Sequence, residues 1–130
     1  DHVLVHDAAR ALITSDIITR VMSTTEQHGA AIAAVPVVDT IKEVDGSTIQ
    51  RTVPREHLWR AQTPQGASVS DLLSAYKAAE GTSVTDEAEL LETIGISARV
   101  VPGSEDNFKI TFPEDLERAR EVLLRRKALG

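Results

Sequence analysis

Apolar residues in this chain come in short blocks, each ended by small or polar punctuation. Val3, Leu4 and Val5 are a run of the kind buried on both faces of a parallel sheet, and the run stops at His6-Asp7. Thr14 or Ser15 can cap a helix reaching about His28, with Ile17, Ile18, Val21 and Met22 as its buried stripe and Gly29 as its end. Residues 30–38, AAIAAVPVV, are small and apolar and predict a second buried parallel strand, which Pro36 ends or brings to an edge.

Residues 39–62 break the pattern. They are charged, carry an Asp45-Gly46 hairpin signal between alternating segments, and show no helical stripe. A ribbon of this kind cannot bury itself on the main sheet and reads as a projecting arm. Leu58 and Trp59 then offer a surface for something else, most simply a second copy of the chain. Thr63-Pro64-Gln65-Gly66 has the chemistry of a tight turn.

Beyond that turn, Ser68 or Ser70 caps a helix over 69–80 that buries Leu72, Leu73 and Tyr76 and ends at Gly81. Thr85 precedes a helix over 86–94, with Asp86 and Glu87 in its first turn and Gly95 at its end. Short strands are expected over 97–102 and 107–111, around a polar loop. Thr111-Phe112-Pro113-Glu114 opens a last helix with Leu116, Ala119 and Leu123 on one face. The alternation predicts one α/β domain, a Rossmann-like three-layer sandwich with a mostly parallel sheet and the β-arm projecting from it for dimerisation.

Composition narrows the function classes. There is no Cys, which excludes disulfides and thiolate metal sites and suits the cytoplasm. The formal net charge is −6, with one Trp, one Tyr and two Phe, so the chain lacks the basic face and stacking platforms of a nucleic-acid binder. No apolar run is long enough for a membrane span, and no signal peptide is visible. The chain starts at Asp1 directly against a strand, which suggests a cut through a larger domain.

Candidate chemistry gathers at strand ends and helix starts: Asp7, Arg10, Asp39-Thr40, Thr63, Thr85-Asp86, Asp106 and Lys109. Asp7 can hold a hard cation such as Mg²⁺, and Arg10 can grip a phosphate; the same pair would also close the turn as a local salt bridge. Thr85 also reads as a helix cap and Lys109 as an ordinary exposed lysine. Together these hydroxyls, cations and carboxylates suit a phosphate and a polyol. The histidines at 2, 6, 28 and 57 have no metal-ligand spacing and no Ser-His pair resembles a nucleophile with its base.

VHDAAR (5–10), DT-x-K (39–42), LW-x-A-x-TPQ (58–65), TDEA (85–88) and N-x-K-I-T (107–111), followed by a P-E-D-L helix start, occur in this order. The set closely resembles the 2-C-methyl-D-erythritol 4-phosphate cytidylyltransferase family of the non-mevalonate isoprenoid pathway, from Val3 to about Leu123. The family's opening half, with its glycine-rich nucleotide loop, has no counterpart in these residues. The resemblance thus implies a partial cytidylyltransferase domain, inactive alone, with residues 39–62 as its dimerisation arm.

The resemblance also implies the chemistry: the phosphate of methylerythritol phosphate attacks the α-phosphorus of CTP and expels pyrophosphate. Asp7 matches the residue that meets Mg²⁺ and substrate, and Lys109 the lysine near the transferring phosphorus. Arg55, with Thr40 beside it, matches an arm arginine that reaches the substrate phosphate of the neighbouring subunit in a homodimer. Arg10, Thr63, Thr85 and Asp106 match pocket-lining positions. Two rival readings are a pentitol-phosphate cytidylyltransferase using ribitol 5-phosphate, which shares the HDA, TPQ and TD motifs, and a non-catalytic dimerising module.

Overall fold

The computed structural model describes residues 1–130. In chain order the elements are β1 (His2–Val5), α1 (Ser15–His28), β2 (Ala30–Pro36), β3 (Ile41–Asp45), β4 (Thr48–Val53), β5 (Trp59–Ser68), α2 (Val69–Ala78), α3 (Glu87–Glu92), β6 (Arg99–Pro102) and α4 (Pro113–Leu129). The expected α/β class and its helices are present. No helix is long and apolar enough to cross a membrane.

One four-stranded sheet runs β1-β5-β2-β6. Its faces follow from strand alternation. Val3, Val5, Ala30 and Ala67 pack with Leu72, Ala75, Leu90 and Leu91 of α2 and α3. Leu4, Ala31, Ala33 and Val101 turn to the other side, against Ile17 and Val21 of α1. The result is three layers. A third cluster of Leu12, Ala119 and Val122 seats α4 beside Phe108 and Ile110.

The expected mostly parallel sheet is corrected: β5 runs antiparallel to both β1 and β2, and only β2–β6 is parallel. The difference lies in residues 59–68, expected as the end of the arm and a tight turn but forming the central strand. Proline lacks the N–H that a central strand needs, and a bulge absorbs Pro64. Ile32 pairs with Gln65 and Ala34 with Ala61, so Gln62, Thr63 and Pro64 together oppose Ala33. The Thr63–Pro64 peptide is cis.

Within residues 39–62 only 41–53 form a ribbon. β3 and β4 form a separate two-stranded sheet joined at Gly46, whose φ of 58° is the left-handed conformation the turn requires. Nearly all its side chains are exposed, and Trp59 is 43% exposed where the ribbon joins β5.

Helix limits follow the capping signals. Thr14 caps α1 and Gly29 ends it, Ser68 caps α2, and the α3 cap is Asp86 rather than Thr85. Three buried stripes differ from expectation. In α1 the buried face is Ile17, Val21 and Thr25, with Ile18 exposed and Met22 half-buried, because the helical spacing of 17, 21 and 25 sets the face. The α2 face is Leu72 and Ala75, continued by Ala79 at the helix end, and Leu73 and Tyr76 on the other side stay exposed. The α4 face is Ala119 and Val122, which leaves Leu116 and Leu123 exposed along a shallow apolar groove. Residues 107–111 are a loop, held by the Asn107 side chain and by isolated backbone hydrogen bonds instead of strand pairing.

Thr25 of α1 is fully buried, and its hydroxyl donates to Val21 O at 2.8 Å. It lies against Gly66 of β5. A Cβ on Gly66 would fall on Thr25 Oγ1 and lie 2.5 Å from Leu4 Cδ2. Gly66→Ala therefore overpacks the α1 face and lowers stability by about 1–3 kcal/mol. A denaturant midpoint unchanged from the parent chain contradicts this account.

Candidate active site

The end of β1 makes the first wall. After Val5 the chain turns sharply, with Arg10 N–H donating to Asp7 O at 3.0 Å. The Asp7 carboxylate takes the Arg10 Nε–H at 3.2 Å and has Lys109 Nζ 4.0 Å away. The Asp7 N–H donates to Thr63 Oγ1 at 3.0 Å, fixing the turn to the β5 bulge. His6 joins in, with Nδ1 2.8 Å from Thr63 Oγ1 and Nε2 2.9 Å from Arg10 O.

The loop after β6 supplies Lys109. Asn107, 1% exposed, donates from Nδ2 to Thr63 O at 2.8 Å and to Gln62 Oε1 at 3.2 Å. Its backbone carbonyl accepts from Arg10 Nη1 at 2.9 Å, and Ile110 N–H donates to Ala9 O at 2.8 Å. Asn107 Oδ1 is buried without a partner. Flipping the amide would forfeit both Nδ2 bonds, so the orientation stands.

The N-terminus of α3 makes the third wall. Gln65 of β5 donates to Asp86 Oδ2 at 3.0 Å and accepts from Ala88 N at 3.0 Å, fastening this terminus to the sheet. Asp86 Oδ1 accepts from Glu89 N at 2.8 Å. Thr85 donates its hydroxyl to Glu89 Oε2 at 2.7 Å and its backbone N–H to the same oxygen at 2.6 Å. The hydroxyl first, then the backbone N–H, hold the Glu89 carboxyl below its ordinary 4.5.

Between these walls lies an open cleft of about 360 Å³, lined by Asp7, Arg10, Thr63, Thr85 and Lys109 among others. Five expected site residues thus converge. Gln62, Gln65, Asp86 and Glu87 also line it. Of these, only Asp86 is among the candidates read from the sequence, although the TPQ and TDEA motifs contain Gln65 and Glu87 too. Arg55, Thr40 and Asp106 do not line the cleft. Arg55 donates to Val38 O at 2.7 Å near the root of the arm, Thr40 is exposed there, and Asp106 is ion-paired with Arg125. The lining is polar, with Arg10 and Lys109 as cations beside one another; an oxyanion would relieve their mutual repulsion.

A family model, IspD: 2-C-methyl-D-erythritol 4-phosphate cytidylyltransferase, matches residues 1–126. The chain belongs to this family. It is 48% identical over 127 residues to a bifunctional enzyme IspD/IspF of Desulfotalea psychrophila, covering 98% of this chain and 33% of that protein. It is also 48% identical over 134 residues to a 2-C-methyl-D-erythritol 4-phosphate cytidylyltransferase of Acidobacterium capsulatum, covering 98% and 56%. The crystal structure of the Thermus thermophilus cytidylyltransferase superposes with a TM-score of 0.85 at 38% identity, covering 95% of this chain and 62% of that one. The chain therefore spans about a third to a little over half of these sequence relatives' length. Within the family frame, the VHDAAR, TPQ, TDEA and N-x-K motifs are the segments that meet at the cleft.

The carboxylates give a signed pH dependence. Glu89 is held low by Thr85, and Asp115 is held low by the Phe112 and then the Thr111 backbone N–H groups. Each binds fewer protons folded than unfolded, so each adds stability above its unfolded value that is lost as pH falls through the lowered one. Glu89→Gln and Asp115→Asn should each flatten the loss of stability below about pH 4.5. Denaturant unfolding across that range checks it, and an unaltered acid slope in both variants disproves it.

Proposed function

We propose that the protein carrying this chain transfers CMP from CTP to 2-C-methyl-D-erythritol 4-phosphate and releases pyrophosphate. The observation that carries the reading is the convergence of Asp7, Arg10, Thr63, Thr85 and Lys109 on one cleft in a chain of this family. Such a displacement asks little covalent work of the protein, so placement and charge neutralisation carry the rate. Lys109 is more than half exposed and next to Asp7, so its ammonium can follow the oxygens that gain charge as phosphorus is attacked. Arg10 is bonded to Asp7 and to Asn107 O, which orients its guanidinium for a phosphate oxygen.

Mg²⁺ is part of the proposal. No group of three metal-ligating side chains is present. The residues still fit this ion, which uses one or two carboxylates and completes its shell with water and phosphate oxygens. Asp7 is the carboxylate that would hold it. When bound, the ion would neutralise charge on the nucleotide phosphates.

The arm completes the reading. Arg55 and Thr40 lie outside this chain's own cleft, at the root of an exposed ribbon. We place them in the cleft of a partner subunit, where the guanidinium fork suits a phosphomonoester. The site is then shared across a homodimer in the cytoplasm.

Pyrophosphate release by the full-length protein with CTP and methylerythritol phosphate tests the reaction, with ribitol 5-phosphate as the competing acceptor. Faster turnover of ribitol phosphate refutes the assignment of substrate. Lys109→Ala should lower kcat by about 10²–10³-fold with a smaller change in KM, and an unchanged kcat removes that role. Arg55→Ala should raise the KM for methylerythritol phosphate by about 10–100-fold. Mixing Arg55→Ala with Lys109→Ala subunits should restore activity to one site of each mixed dimer, and no recovery contradicts the shared site.

A further inference from the structure

His6 is part of the VHDAAR motif but stands behind the cleft wall, outside its lining. Its two contacts fix the proton of a cleft hydroxyl. Arg10 O can only accept, so His6 Nε2, 2.9 Å away, carries a proton. In the neutral ring Nδ1 is then an acceptor, and it lies 2.8 Å from Thr63 Oγ1. Thr63 therefore donates its proton to His6. One lone pair of Oγ1 already accepts the Asp7 N–H at 3.0 Å. What remains for a ligand is one lone pair.

Thr85 is in the same condition. Its proton goes to the Glu89 carboxylate at 2.7 Å, leaving its oxygen to accept. The threonine hydroxyls of the cleft are thus acceptors, whereas Arg10 and Lys109 are its cationic donors. Phosphate oxygens match the cations and find no donor in either threonine. An alcohol hydroxyl matches the threonines.

We propose that His6 is a positioning residue that locks the Thr63 hydroxyl as an acceptor for an alcohol group of the acceptor substrate, sorting the polyol end of the ligand from its phosphate. This rests on the reading of the cleft as a sugar-alcohol phosphate site. His6 is exposed, so these two hydrogen bonds, rather than packing, hold its ring. Without the ring, the Thr63 O–H rotates freely and presents a donor to the substrate as readily as an acceptor.

In the full-length protein, His6→Ala should raise the KM for methylerythritol phosphate about tenfold, the worth of one hydrogen bond, with kcat and the KM for CTP nearly unchanged. His6→Asn, whose side-chain oxygen can stand where Nδ1 stood, should recover most of that loss. A His6→Asn variant as impaired as His6→Ala, or a parallel rise in the KM for CTP, overturns the proposal. Imidazole ¹⁵N NMR of the unsubstituted protein at mildly alkaline pH gives a second reading that needs no variant to fold. A protonated Nε2 with a bare Nδ1 supports the relay, and a protonated Nδ1 overturns it. If the unsubstituted protein fails to turn over methylerythritol phosphate, the proposed function falls, and the tautomer still decides the role of His6.

Discussion

The Asn107 side chain joins the sheet to the cleft. It is buried, and its amide spans from the loop that carries Lys109 to the bulged centre of β5. Leaving buried amide donors unpaired would cost about 1–3 kcal/mol, so loop and bulge are stable only together. Through its own carbonyl the same residue also orients Arg10. The separation between Asp7 and Lys109 is thus set by a chain of hydrogen bonds from β1 through β5 to the loop after β6. Gly103 belongs to this arrangement as well, because a Cβ there would collide with Gln62 Oε1, which accepts from Asn107.

The charges follow from the same geometry. Arg10 is only 14% exposed in its side chain, and a cation so enclosed needs partners. Asp7 and the Asn107 carbonyl supply them. Asp7 therefore has a structural duty beside any chemical one, since its loss would leave Arg10 and Lys109 facing each other unscreened. The carboxylate of Asp86 is spent on the α3 terminus and on Gln65, which takes it out of competition for a ligand.

Much of this was legible in the residues. Thr14 and Gly29 bracket α1 because capping is local chemistry, readable without knowing the fold. Asp7, Arg10, Thr63, Thr85 and Lys109 are singled out as strand ends or helix starts, and the structure brings all five to one cleft, although Thr63 lies inside β5 and Lys109 in the loop after β6. The central strand was not legible. Its buried stretch holds Gln62, Thr63 and Gln65, polar residues interrupted by Pro64 and Gly66, and no alternation marks it. Those polar groups are satisfied by partners such as Ser104, Asp86 and Asn107, more than 20 positions away, which no local pattern announces. The α3 cap shows the opposite limit: Thr85 and Asp86 are both good caps, and the choice depended on Glu89 claiming Thr85.

The ribbon runs back to the cleft through a short turn and one strand: β4 ends at Val53, residues 54–58 turn, and β5 carries the chain on to the cleft wall. Trp59 begins β5 just past that turn, and Thr63 stands in the cleft wall four residues on, about 13 Å at the rise of an extended chain. No glycine lies between Gly46 and Gly66, and the turn is tied to the end of β2 by Val37 N–H donating to Leu58 O at 3.0 Å and by Arg55 donating to Val38 O at 2.7 Å. The root of the ribbon and the cleft wall are thus coupled through the pinned turn and β5, so a load on the ribbon is passed along the strand toward the Thr63 hydroxyl.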